Sequence, residues 1–423
     1  MLVLGGLAIL ALVVRVAFVM VDTRHGDDYL YDSFFYQNEA RVLSEGWGFV
    51  DPGAILRLTP AHAPEAADHP PLTAAVLTPV AWLTGGDDVA MRLTFAVLGS
   101  VNVFLIGLLG LAVFGRFAAV AAAAFAAVYP FLWVNDGLIM SETLTVFLTV
   151  LALLLTYEVL RRHRRVDAVA LGVICGLGAL TRSELLLLPL GLALGVLLTR
   201  TGASRRARAA LAAIVLVATG AVMTPWVLYN LSRFREPVLV STSGELNLVG
   251  GSCDRSFYGP DTGLLGFCIP QRPIAGDQSQ VGRVYRDRAI TYTRRHLDRY
   301  PVVVLARMGR TWSLFRPWDM VKLNQSEGRP TSVTAAGLAL YYPLLLFAIG
   351  GVVVLRRHRG VLWPLLVPVG IVTVTAFVSW GQIRYRVPAE PSLVVLGATA
   401  LAALVKRGEP LVSGGRAEVD ATA

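Results

Sequence analysis

Five short basic clusters punctuate the apolar runs of this 423-residue chain: Arg116, Arg161 to Arg165 (RRHRR), Arg200 to Arg208 (RTGASRRAR), Arg356 to Arg359 (RRHR) and Lys406–Arg407. The apolar runs lie near 2–21, 91–114, 117–134, 140–160, 166–181, 184–199, 208–229, 332–355, 360–379 and 386–405. Crossing a bilayer takes roughly 17 to 25 such residues, fewer where flanking side chains snorkel. Short loops rich in arginine face the cytoplasm. With the N-terminus inside, all five clusters fall on that side. This alternation leaves one fold class: an all-α polytopic membrane protein of about ten transmembrane helices.

Composition agrees. Hydrophobic residues make up 55% of the chain and charged residues 16%, against about 25% charged in soluble domains. The net charge of +9 therefore reads as topology. No basic, aromatic-interleaved module supports nucleic-acid binding. Lys322 and Lys406 are the only lysines; arginine-rich, Ala/Val/Leu/Gly-rich usage hints at a GC-rich bacterial genome. The first run has no small-residue cleavage site and is followed by Asp22, so it reads as a retained helix in a multi-pass plasma-membrane protein.

Two further apolar stretches, Pro71 to Gly85 and Tyr300 to Phe315, would break the alternation if they spanned. The first is bracketed by prolines and the second carries Arg307 and Arg310, so both are expected as interfacial helices. The outer side then receives two long segments, 22–90 and 230–331. Residues 1–405 form a single transmembrane domain, and 406–423 a disordered cytoplasmic tail. Chemistry is expected on the long outer segments, where loops sit on a rigid scaffold.

Asp32 heads the candidates. A carboxylate at the membrane surface can take a proton from a hydroxyl. In DSFFYQNEARVLSEGWGF, Asp32, Tyr36 and Ala40 would share one face of a short helix. Asp27, Asp28 and Asp32 read equally as solvated charges beyond a helix end. In ADHPPL, His69 could donate to a phosphate or sugar hydroxyl, with Pro70–Pro71 fixing the backbone; a lone His is also an ordinary surface group.

Glu142 and Glu184, with Arg182 beside the latter, stand at the outer ends of predicted spans. There they serve either a site or an ion pair between helices. Arg384 and Arg386 flank Tyr385 at the outer end of the last run, against the usual charge bias. Guanidinium forks suit a lipid phosphate, or anchor to anionic headgroups.

Cys253 and Cys268 fall on the oxidising side and are expected to be bridged, while Cys175 lies in a span. No P-loop, dinucleotide fingerprint, HExxH or serine-hydrolase elbow is present. No metal site is assigned, although the acidic pairs in GDDY and GGDD leave a divalent cation open.

The ordered set DSFFYQNEARVLSEGWGF, DHPPL, MRLTFAVLGS, YPFLWVNDGLIMSETL, GLGALTRSELLLLP, PWVLYNLSRF, GGSCD…YGP…LG…C and RYRVPAEP resembles the polyprenyl-phosphate-dependent glycosyltransferases of the GT-C superfamily. Within it, the likeness is to the protein O-mannosyltransferase and aminoarabinose-transferase family (glycosyltransferase family 39 type) and its actinobacterial members. The resemblance implies an inverting transfer of a sugar from a polyprenyl phosphate to an acceptor hydroxyl on glycan, lipid or protein. In it Asp32, four residues before Tyr36, is the general base. Arg384 or Arg386, with His69, would steady the leaving phosphate, and Asp68 would line the site. His69 stands where some relatives carry another basic residue, and the chain is shorter than the family's longer members. A lipid-linked-sugar transporter or flippase is the competing class, yet no inverted repeat is visible. A non-catalytic envelope scaffold would leave Asp32 and the arginine pair unexplained.

Overall fold

A computed structural model describes residues 1–23, 32–54, 62–200, 202–266, 268–269 and 274–405. Asp27, Asp28, the GDDY pair and the tail 406–423 lie outside these residues. Helix α1 (Leu2–Phe18) continues into a π-turn (Val19–Thr23). The first outer segment folds as α2 (Asp32–Ser44) and α3 (Leu72–Thr84), and α3 is the expected apolar helix between prolines.

Helix α4 (Asp88–Phe114) begins where the Asp87 side chain accepts the Ala90 N–H, an N-cap that satisfies an otherwise orphan donor. Helix α5 (Arg116–Val128) and α6 (Pro130–Asp136) meet at 56°. The run expected as one span, 117–134, is thus bent, because Pro130 has no N–H and disfavours helical backbone in the residue before it.

Then come α7 (Glu142–Arg162), α8 (Arg165–Ala179), a 3-10 turn (Ser183–Leu186) into α9 (Leu187–Leu198), and α10 (Arg205–Arg233), capped by Ser204. The second outer segment holds α11 (Ser243–Gly250), α12 (Asp254–Phe257), α13 (Gln278–Arg295), α14 (Tyr300–Thr311) and α15 (Pro317–Gln325). The chain returns through α16 (Thr331–Arg357) and α17 (Trp363–Val378), then a 3-10 turn (Ile383–Ala389) that runs into α18 (Glu390–Leu404).

All ten predicted apolar runs are helical. Among the described residues six helices, or seven if the bent α5–α6 pair counts as one, are long and apolar enough to cross a membrane. Helices α3, α9 and α17 are shorter apolar helices, and α8 has only 15 residues. The molecule is an all-helical, multi-pass membrane protein. Its apolar packing centres on the last span, 83% of whose apolar window is buried, against 28% for α1. Helix α18 is therefore the axle of the bundle.

Helix α7 orients the bundle, with Glu142 at one end and Arg161–Arg162 at the other. The basic turns that follow α4 and α16 lie at the arginine end. The Phe114 ring lies 5.7 Å from His358, and the Tyr157 hydroxyl donates to the Val361 carbonyl at 2.8 Å. Near the Glu142 end an ion pair is enclosed: Arg15 Nε lies 2.6 Å from Asp136 Oδ2, and Thr143 donates to Asp136 Oδ1 at 2.7 Å. A charge at this depth persists only when paired and hydrogen-bonded.

The second outer segment is tied down in two ways. Cys253 and Cys268 are bonded, with Cα atoms 6.1 Å apart. Helix α14 turns both of its arginines inward: Arg307 donates to the Gly251 carbonyl at 2.6 Å and Arg310 to the Thr262 carbonyl at 2.8 Å.

Candidate functional site

Helix α2 starts at Asp32, so its carboxylate sits at the positive end of the helix dipole. Its Oδ2 accepts from Arg384 Nη1 at 2.7 Å, and its Oδ1 lies 3.6 Å from His69 Nε2. One turn on, Tyr36 packs its ring 5.0 Å from His69, and Phe35 meets the other side at 4.6 Å. The Asp32–Tyr36 spacing thus forms a wall that holds the His69 ring against the carboxylate. Leu72 N–H donates to the Leu180 carbonyl at 2.9 Å, which fixes the Pro-Pro segment against the end of α8.

Behind Asp32 lies a charged network. Arg384 Nη1 is also 3.9 Å from Glu142 Oε1, and its Nε donates to Gln382 Oε1 at 2.9 Å and lies 3.5 Å from Glu327 Oε1. Arg182 pairs with Glu184 at 2.5 Å and with Glu142 at 3.2 Å. The guanidinium carbons of Arg182 and Arg384 both stand 5.6 Å from the centre of the Tyr385 ring. Arg329 donates to Asn135 Oδ1 at 3.0 and 3.1 Å and lies 3.7 Å from Glu142. Three guanidiniums therefore converge on one oxygen, Oε1, of the buried Glu142 carboxylate. Asp32 and His69 keep 22% and 20% of their side-chain surface open, whereas Arg384 keeps 9% and Glu142 1%. Access is from the Asp32–His69 side.

Electrostatics separate Asp32 from Asp68. Burial alone would raise Asp32; the Arg384 guanidinium, then His69 and Arg182, outweigh it and hold the carboxyl well below the usual carboxylate range. Asp68 accepts from Gln278 Nε2 at 2.7 Å. Burial pushes it up, His69 and Gln278 pull it back, and Asp51 adds to the rise; the net direction is upward. Tyr36 is raised by burial and then by the Asp32 charge.

Of the residues singled out in the sequence, Asp32, Tyr36, His69, Glu142, Arg182, Glu184, Arg384 and Tyr385 form one cluster, with Asp68 at its edge. Arg386 points elsewhere. It is fully buried, pairs with Glu390 at 2.6 Å, donates to Ser313 Oγ at 3.1 Å and stacks 3.6 Å over the Tyr341 ring. Three members gave no sequence signal. Glu327 and Arg329 sit in a polar stretch that reads as loop. Glu39 lies on the buried face of α2, its Oε2 without a hydrogen-bond partner among the described residues. Burial, then the Asp68 charge, raises Glu39 well above an ordinary glutamate.

Among the described residues no three His, Cys, Asp or Glu side chains come together as a metal-holding group.

The family model described as dolichyl-phosphate-mannose-protein mannosyltransferase matches residues 68–229, the stretch that holds Asp68, His69, Glu142, Arg182 and Glu184. Among curated proteins none matches the chain. The oligosaccharyltransferase AglB from Archaeoglobus fulgidus, solved with an inhibitory peptide and a dolichol-phosphate, superposes with a TM-score of 0.58 at 12% identity, covering 96% of this chain and 50% of its own. A crystal structure of the Archaeoglobus fulgidus oligosaccharyltransferase with Zn and sulfate gives a TM-score of 0.55 at 13% identity over 96% and 49%. ArnT from Cupriavidus metallidurans, bound to undecaprenyl phosphate, gives 0.41 at 16% identity over 96% and 78%. The chain thus spans about half the length of the oligosaccharyltransferases and shares their polytopic helical fold.

Proposed function

We propose that this chain is a membrane glycosyltransferase. It would move a sugar from a polyprenyl-phosphate donor to an acceptor hydroxyl on the outer face of a bacterial plasma membrane. The observation that carries this reading is the contact of Asp32 with both Arg384 and His69, at the end of the bundle opposite the basic turns. A transfer of this kind needs a base for the incoming hydroxyl and fixed positive charge for the departing phosphate, side by side at a membrane surface.

In the proposed reaction the acceptor hydroxyl gives its proton to Asp32, and its oxygen attacks the anomeric carbon. The bond between that carbon and the phosphate oxygen breaks with inversion, and its electron pair stays on the phosphate. Arg384 and His69 meet the charge that develops there. The leaving group is already a stable anion, so no strong general acid is required. The donor's tail stays in lipid while its sugar reaches the open side of Asp32 and His69. Arg182, Glu184 and Glu142 hold Tyr385 and Arg384 behind it. The family model, named for a lipid-phosphate-mannose donor, and the dolichol-phosphate held by the AglB structure support this donor class.

The test is transfer in vitro. Wild type and Asp32→Asn would be given radiolabelled polyprenyl-phosphate sugars with cell-envelope extract as acceptor. Label should reach the extract with wild type, and Asp32→Asn should lose it by roughly 100-fold or more while remaining folded. Equal transfer by both would move the base elsewhere. No transfer from any donor by folded wild type would favour transport of a lipid-linked sugar.

A further inference from the structure

The proposed transfer uses one half of the Arg384 guanidinium. Nη1 faces Asp32, the side from which a phosphate must also arrive. The other half is held from behind. Nε donates to Gln382 Oε1 at 2.9 Å and lies 3.5 Å from Glu327 Oε1. Glu327 comes from the far end of the second outer segment, just before α16, and its side chain is only 8% exposed. Two residues on, Arg329 enters the same network at 2% exposure, 2.7 Å from Glu327 Oε2 and 3.7 Å from Glu142. The residue between them, Gly328, has φ of +78°, a backbone state that side-chain-bearing residues rarely adopt. That turn lets two long side chains, Glu327 and Arg329, reach inward from a loop.

We propose that Glu327-Gly328-Arg329 is a positioning strap for the transfer site. In this assignment Glu327 anchors the rear of Arg384, so that Nη1 stays aimed at Asp32 when a phosphate competes for it. Arg329 fixes Glu142, the carboxylate shared by the other two arginines. An arginine fork presents its donors in fixed relative directions, so restraining Nε sets where Nη1 points. A solvated loop charge would not do this. Glu327 and Arg329 are instead buried, paired with each other and in range of the two groups that touch Asp32 and Arg182. The strap rests on the transferase reading for its purpose, not for its geometry.

The experiment therefore has a readout that needs no sugar. Carbodiimides attack protonated carboxyls, so an Asp32 held ionised by Arg384 should be protected. Full-length wild type, Glu327→Gln and Glu327→Asp would be labelled across a pH series, and modification at Asp32 read by mass spectrometry. Glu327→Gln should label several-fold more at Asp32 and shift the onset of labelling to higher pH. Glu327→Asp, which keeps the charge, should fall between it and wild type. Binding of undecaprenyl phosphate to the same proteins should weaken several-fold in Glu327→Gln, because Arg384 loses the ion pair that restrains its Nε side.

Wild-type labelling in a folded Glu327→Gln would overturn the strap. If Glu327→Gln does not fold, Glu327→Asp decides: unchanged labelling and unchanged lipid affinity would overturn it equally. Altered labelling in a protein that transfers no sugar would leave the strap standing and remove the transferase reading.

Discussion

Arg384 Nη1 lies 2.7 Å from Asp32 Oδ2, although 352 residues separate them in the chain. The pair is only partly enclosed, since Asp32 keeps 22% of its side-chain surface. A cation so placed restrains the Asp32 carboxylate and offers its positive charge beside it.

Arg384→Lys keeps the charge and removes the fork. A lysine would reach Asp32 or Gln382, not both, because its ammonium is a single point on a flexible stem. Donor KM is expected to rise about tenfold, with a smaller fall in kcat. Steady-state kinetics with a polyprenyl-phosphate sugar would check this; unchanged KM would remove Arg384 from phosphate recognition.

The acids divide by pH. Asp32 is held low, so its contribution to stability is present above the unfolded value of about 3.9 and is lost only as pH falls through the lower folded value. The base should therefore stay ionised through neutral and mildly acid solution. Asp68 is raised, so its contribution is present below the unfolded value and is lost as pH rises through the folded one. An acid limb in the pH–rate profile is expected to track Asp68. It should shift or vanish in Asp68→Asn, and an unaltered limb in that variant would refute the assignment.

Gly99→Ala is expected to damage the buried Arg15–Asp136 ion pair. A Cβ at this position would collide with the Asp136 carboxylate and approach Arg15 Nε to 2.7 Å. Forcing a methyl into such a contact costs about 1–3 kcal/mol, and here it would also push a buried anion away from its buried cation. The expected result is a lowered midpoint in thermal unfolding in detergent, with the midpoint of Gly370→Ala, whose added Cβ meets nothing within 4 Å, left near wild type.

Reduction should act on the second outer segment. Cys253 and Cys268 close a loop of sequence separation 15, a constraint of about 3 kcal/mol in the chain-entropy model. Cys253→Ser with Cys268→Ser is expected to lower the unfolding midpoint and increase proteolysis between α11 and α13. Alkylation of the native protein should modify neither Cys253 nor Cys268 before reduction, and Cys175, buried in α8, only after unfolding.

The membrane architecture was legible because bilayer thickness and loop charge act on sequence directly. Every predicted apolar run became helix. The departures are local: Pro130 splits one run, a π-turn (Val19–Thr23) ends the first, and 3-10 turns (Ser183–Leu186 and Ile383–Ala389) open two others. Asp32, His69 and Arg384 were found because each stands out locally, an acid or a base at a predicted bilayer edge. Glu327 and Arg329 did not. In a polar loop their charges look solvated, and their burial depends on where Asn135, Glu142 and Arg384 lie in space. Arg386 misled for the opposite reason. It shares the local sequence of Arg384, but two residues along a tight 3-10 turn rotate its side chain toward Glu390 and Tyr341. Sequence spacing showed that the two arginines were close, not which way each one faced.

Asp32 opens the second helix of the bundle, and Arg384 stands in the turn that enters the last. During synthesis the carboxylate would emerge from the ribosome 352 residues before its partner. Until α18 threads into the middle of the bundle, the nascent chain has neither its axle nor the fixed cation beside Asp32. Insertion of α18 is thus the step that brings Arg384 to Asp32, and a chain stopped at α17 would lack that pair.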